Sequence, residues 1–92
     1  MVNEGRSEVT IRVRGKKGDY WRFTITSWLY EIKDILEQEY NIKIRIVEED
    51  EDRNLPAIFI GDIEVGEGVP GEEGYLIEVL KKALDKIIGR ID

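Results

Sequence analysis

The residues of this chain that could do chemistry are mostly carboxylates, and five of them are consecutive. Residues 48–52 are all Glu or Asp, and carboxylate oxygens are the ligands that Ca²⁺ and Mg²⁺ prefer. The run lacks the glycine turn and the terminal glutamate spacing of a calcium-binding loop. Catalytic carboxylates need burial to shift their pKa, whereas this run is polar throughout. We therefore expect a solvated acidic loop that holds no metal and does no acid–base catalysis.

Other chemical candidates are weakened by two missing residue types. The chain has neither cysteine nor histidine, which removes thiolate nucleophiles, cysteine-ligated metals and the commonest general base. Ser27 therefore has no histidine to activate it. Glycines at 66, 68 and 71 resemble a phosphate loop, but glutamates at 67, 72 and 73 would repel phosphate. The sequence predicts a protein that is not an enzyme and needs no cofactor. An enzyme with a cleft at Ser27 and Pro56 is the minor alternative.

Length and composition narrow the class of protein further. Ninety-two residues predict one domain, 1–92, with a modest core. Abundant Ile, Glu, Lys and Arg with little Gln or Asn is typical of a thermophile; an ordinary charged domain is the alternative. We expect a cytoplasmic protein, because the sequence shows neither a signal-peptide pattern nor an apolar run of about 20 residues. The net charge of −6 argues against non-specific nucleic-acid binding by the whole molecule.

Apolar periodicity predicts the elements that must position these residues. Alternation predicts strands, and a spacing of three to four residues predicts helices. The strands fall at 8–14, 20–26, 42–47, 57–60 and 63–65, and the helices at 28–40 and 72–88. Ser27 is the expected N-cap of the first helix, and Asn41 and Gly89 are the expected C-terminal residues. The order ββαβββα predicts an α+β fold: a mixed four- to five-stranded sheet with both helices on one face.

The segment Leu55–Asp62, followed by a second short strand, a Gly-rich loop and a long amphipathic helix, resembles the C-terminal half of thioredoxin-like and glutaredoxin-like proteins. The resemblance covers the chain from residue 20 onward, although a helix between the second and third core strands is missing. It implies a cis-proline at Pro56, beside a Cys-x-x-Cys site where the first strand enters the first helix. Ser27 and Tyr30 would stand at the two cysteine positions. Together with Leu55 and Pro56 they would form the corner at which the family has its redox site. Because both cysteines are absent, the resemblance implies the fold without its thiol–disulfide exchange.

Two helices cannot easily cover both faces of such a sheet, so strand parity predicts one open face. The residues predicted on it are Thr10, Arg12, Arg14, Tyr20, Arg22, Thr24, Lys43, Arg45, Ala57, Phe59 and Glu64. Five basic residues and one acid give this surface a predicted charge of +4. The alternative is that these cations only solubilise exposed strands, with cross-strand partners or the acidic run neutralising them.

The sequence therefore predicts a non-catalytic interaction module that binds through this basic face. Its predicted binding residues are Arg12, Arg14, Tyr20, Arg22, Lys43, Arg45 and Phe59. The partner would be another protein or a second copy of the chain. Nucleic acid is the alternative, because aromatic side chains can stack on bases while cations hold phosphates. No metal or membrane partner is expected.

Overall fold

Six helices and strands follow one another in the computed structural model, which describes residues 7–67 and 73–88. They are β1 (Ser7–Gly15), α1 (Tyr20–Tyr40), β2 (Ile42–Asp50), β3 (Ala57–Ile60), β4 (Ile63–Glu67) and α2 (Glu73–Ile88). The sheet order is β2-β1-β3-β4. β1 runs parallel to β2 and antiparallel to β3, and β3 runs antiparallel to β4. The predicted α+β class, with two helices and a mixed sheet, is confirmed.

The predicted strand at residues 20–26 is wrong, because these residues form the first two turns of α1. Asp19 is the N-cap of this helix, and its side chain accepts a hydrogen bond from the Arg22 N–H at 3.0 Å. Ser27 consequently lies inside α1 and does not cap it. Within residues 7–67 and 73–88 the element order is βαβββα and the sheet has four strands, so the hairpin predicted from 8–14 and 20–26 does not form.

Several predicted boundaries agree with the structure. Asn41 ends α1 in the left-handed conformation, with φ 54°. Gly61 and Asp62 form the two-residue turn between β3 and β4, where Gly61 has φ 60°.

β2 continues to Asp50, so the first three acids of the acidic run belong to a strand and not to a loop. The predicted C-cap Gly89 lies outside the described residues.

One core joins both helices to the same face of the sheet. Its buried members are Ile11, Val13, Ile42, Ile44, Ile58 and Ile60 from the strands, Ile25, Leu29, Ile32 and Leu36 from α1, and Leu76, Leu80 and Leu84 from α2. The alternate strand positions point away from both helices, as a two-layer arrangement requires. Neither α1 nor α2 combines the length and the apolar character that crossing a membrane requires.

Candidate functional site

The open face is the surface of the sheet that neither α1 nor α2 covers. Its strand positions are Glu8, Thr10, Arg12 and Arg14 from β1, Lys43, Arg45, Val47 and Glu49 from β2, Phe59 and the fully buried Ala57 from β3, and Glu64 from β4. Four of these residues are basic and three are acidic, so together these residues carry a net charge of +1. The predicted value of +4 is too high, because the prediction included Arg22 and left out two acids.

Glu49 neutralises two of the four cations on the open face. Its Oε1 lies 2.7 Å from Arg14 Nε, and its Oε2 lies 3.2 Å from Arg12 Nε. The Arg12 guanidinium also donates to the Gly61 carbonyl at 3.1 Å. The parallel register that sets Arg14 opposite Glu49 brings the acidic run to this site. The alternative interpretation is that the acidic run neutralises the basic residues of this face. It therefore holds for Arg12 and Arg14.

Phe59 lies on the open face, but its ring already has a partner. The Arg14 guanidinium carbon is 4.6 Å from the ring centroid, within the range of a cation–π interaction. Tyr20, the second aromatic residue predicted on this surface, instead occupies the first turn of α1 and contacts the Trp21 ring edge-on. The open face thus carries one aromatic ring, and an arginine covers that ring.

Arg22 lies in the first turn of α1 and not on the open face, so its predicted position is wrong. Its Nε donates to Glu48 Oε1 at 3.0 Å, and its Nη1 donates to Asp50 Oδ1 at 2.7 Å. The same Nη1 donates to the Gly15 carbonyl at 3.0 Å. Only 11% of the side chain is exposed. The hydrogen bond to Asp50 raises the pKa of Arg22 above its usual value, while burial opposes that shift.

The corner expected from the thioredoxin resemblance is only partly assembled. Pro56 is buried beside the end of β1: a Cβ added at Gly15 would lie 3.2 Å from the Pro56 Cβ. Ser27 and Tyr30, however, lie two to three turns inside α1, away from the junction with β1. The Leu55–Pro56 bond is trans, which differs from the cis-proline that the resemblance implies. Leu55 itself is exposed.

Lys43 and Arg45 are the available cations of the open face. Both side chains are exposed on β2, a strand at the edge of the sheet. Neither forms an ion pair with any residue in 7–67 or 73–88. In the same ranges, no three acidic side chains converge in a way that could hold a metal ion.

A carboxylate that the sequence did not single out shields the edge of β2. Glu37 Oε2, from α1, accepts a hydrogen bond from the Ile44 N–H at 2.7 Å and lies 3.2 Å from Lys33 Nζ. Edge strands pair readily with other chains unless their backbone groups are covered. Glu37 therefore disfavours strand addition at this point and leaves the open face as the accessible surface of β2.

No family model matches this chain, and neither a curated protein nor a solved structure shows a significant similarity to it.

Proposed function

We propose that this chain is a non-catalytic interaction module that binds an acidic segment of another protein through the open face. The observation that carries the proposal is the pair Lys43 and Arg45, exposed on β2 and without an ion-pair partner in the described residues. They adjoin a sheet surface that no described helix covers. Carboxylates of a partner would pair with these two cations, and such complementarity selects the partner more than it adds affinity.

An acidic protein segment fits the open face better than nucleic acid does. Single-stranded nucleic acid is held by aromatic platforms and by several phosphate contacts. Arg14 covers the ring of Phe59, and Glu49 engages two of the four cations. Two available cations suffice for an acidic side-chain pair, whereas they are few for a phosphate backbone.

A thioredoxin-like fold without redox chemistry is part of the proposal. It is supported by the order βαβββα, by the mixed sheet and by the position of Pro56 beside the end of β1. On this resemblance Asp19 and Arg22, at the entry to α1, stand where the family has its two cysteines. Arg22 is bound to two carboxylates, which is the arrangement of a structural ion pair and supports a non-catalytic role.

The proposal is tested by amide NMR spectra of isotopically labelled protein titrated with a synthetic oligoglutamate peptide at low salt. We expect shifts confined to β1 and β2 around Lys43 and Arg45. The double variant Lys43→Glu/Arg45→Glu should abolish them. Lys82→Glu/Lys86→Glu is the matched control, because it makes the same change in charge at two exposed positions of α2 and should leave the shifts intact.

Two other outcomes would replace this proposal. Shifts on the same face with a mixed-sequence single-stranded oligonucleotide, but not with the peptide, would favour nucleic acid. Steep weakening with salt would accompany them. Dimerisation in sedimentation experiments that Lys43→Glu/Arg45→Glu abolishes would favour a second copy of the chain. A flat titration with a monomeric protein would reject the open face as a binding surface.

A further inference from the structure

A groove lies between β4 and α2, on the side of the sheet that carries the helices. Ile63 and Val65 line it from the strand, and Tyr75, Val79, Ala83 and Ile87 line it from the helix. Its volume is about 590 Å³, within the range of about 300–1,000 Å³ that is typical of small-molecule sites. Ile63 and Tyr75 are 55% and 56% exposed, so apolar surface is accessible in this groove.

The groove is elongated, because its helical wall is a stripe along α2. Tyr75, Val79 and Lys86 follow one another at spacings of four and seven residues, which keep them on one side of the helix. Tyr75 and Ile87 are twelve residues apart, which corresponds to about 18 Å along a helix. This shape fits a chain-like molecule that lies along the helix axis.

The two lysines of the groove are available to bind an anion, whereas its two acids already have partners. Lys82 and Lys86 are both exposed lining residues, and neither forms an ion pair with a residue of the described part of the chain. The two acids of the groove have partners outside it. Asp85 Oδ1 accepts a hydrogen bond from the Tyr40 hydroxyl at 2.7 Å, and Glu64 Oε2 lies 4.0 Å from Arg53 Nη2.

We propose that this groove binds one long-chain carboxylate, with the alkyl chain along the apolar wall and the carboxylate at Lys82 and Lys86. The occupant must be apolar along its length and anionic at one end to match both features. A second copy of the chain fits less well. In a two-fold dimer the same surface meets itself, so Lys82 and Lys86 would find no available carboxylate, since both acids of the groove already have partners.

The proposal is tested by titrating the protein with octanoate, decanoate and dodecanoate, each below its micelle concentration, and following amide NMR shifts. Affinity should rise with chain length by up to about fourfold for each added methylene, since a buried methylene contributes about 0.8 kcal/mol. Shifts should map to β4 and α2. Lys82→Glu/Lys86→Glu should weaken dodecanoate binding by about tenfold, because it removes two exposed charge contacts.

Two control variants establish whether dodecanoate binds in this groove. Lys43→Glu/Arg45→Glu changes the same number of charges on the open face and should leave dodecanoate binding unchanged. Ile63→Glu places a charge on the apolar wall at an exposed position; it should abolish binding while the circular dichroism spectrum stays native. Affinity that ignores chain length, or that survives Lys82→Glu/Lys86→Glu, would overturn the proposal. A dimer that Ile63→Glu dissociates would assign the groove to a second copy instead.

Discussion

Replacing Arg22 with Met should destabilise the fold more than any other single loss of charge at the sheet. Met keeps an apolar stem of similar length and removes the guanidinium that joins α1 to β1 and β2. The variant loses the hydrogen bond to the Gly15 carbonyl and the contacts with Glu48 and Asp50. The Gly15 carbonyl is not left unsatisfied, because the Glu51 N–H also donates to it at 2.9 Å.

The magnitude follows from the exposure of these partners. A buried hydrogen bond from a charged donor contributes about 1.5 kcal/mol. The side chains of Glu48 and Asp50 are 45% and 63% exposed, so water replaces much of what they lose, and each ion pair contributes about 0.2–1 kcal/mol. We therefore expect Arg22→Met to lower the free energy of unfolding by about 2–3.5 kcal/mol.

Urea unfolding followed by tryptophan fluorescence and far-ultraviolet circular dichroism measures this loss. Arg14→Met is the matched control. Arg14 also binds a carboxylate at 2.7 Å and lies over the Phe59 ring, but 37% of its side chain is exposed, so its replacement should cost about 1 kcal/mol. If Arg22→Met costs no more than Arg14→Met, burial of Arg22 does not set the strength of its contacts and the reasoning fails.

The same two proteins give a prediction for pH. Folding raises the pKa of Arg22, so its contribution to stability is fully present below the unfolded pKa and is lost only as pH rises through the higher folded value. The difference in unfolding free energy between the wild type and Arg22→Met should therefore stay constant between about pH 7 and pH 10. A steady decline across that interval would contradict the sign of the shift.

Three further variants test other parts of the structure. Asp19→Ala should cost about 1 kcal/mol of unfolding free energy in urea melts, since α1 loses its N-cap, whereas Asp19→Asn should cost little. Gly15→Ala should cost about 1 kcal/mol in the same assay, because its Cβ would lie 3.2 Å from that of Pro56. Glu49→Gln should tighten oligoglutamate binding at the open face in the NMR titration, whereas Glu48→Gln should leave it unchanged.

The start of α1 could not be predicted from apolar periodicity because a charged residue holds a buried position there. Arg22, Ile25 and Leu29 are spaced three and four residues apart and all are buried, yet the first of them is an arginine. Exposed Phe23 meanwhile alternates with Trp21 and Ile25 as it would in a strand. The signal that could have located the helix is Asp19, a strong N-cap residue that follows a glycine.

Parity along the correctly predicted strands did locate most of the open face. Arg12, Arg14, Lys43, Arg45 and Phe59 share it as predicted. Their ion-pair partners could not be predicted in the same way, because Glu49 reaches Arg14 only through the register of two parallel strands that are joined by a 21-residue helix. Pairing of this kind is a tertiary property, and period-two alternation carries no information about it.

The acidic residues at the end of β2 pair with arginines on both faces of the sheet. Because strand side chains alternate between faces, Glu49 points to the open face and binds Arg12 and Arg14, while Glu48 and Asp50 point to α1 and bind Arg22. The acidic run is thus not simply a solvated loop. Its first three residues anchor the helix and set how much positive charge the open face presents to a partner. Lys43 and Arg45 lie at the other end of the same strand. The acidic run does not reach them, so their charge stays available.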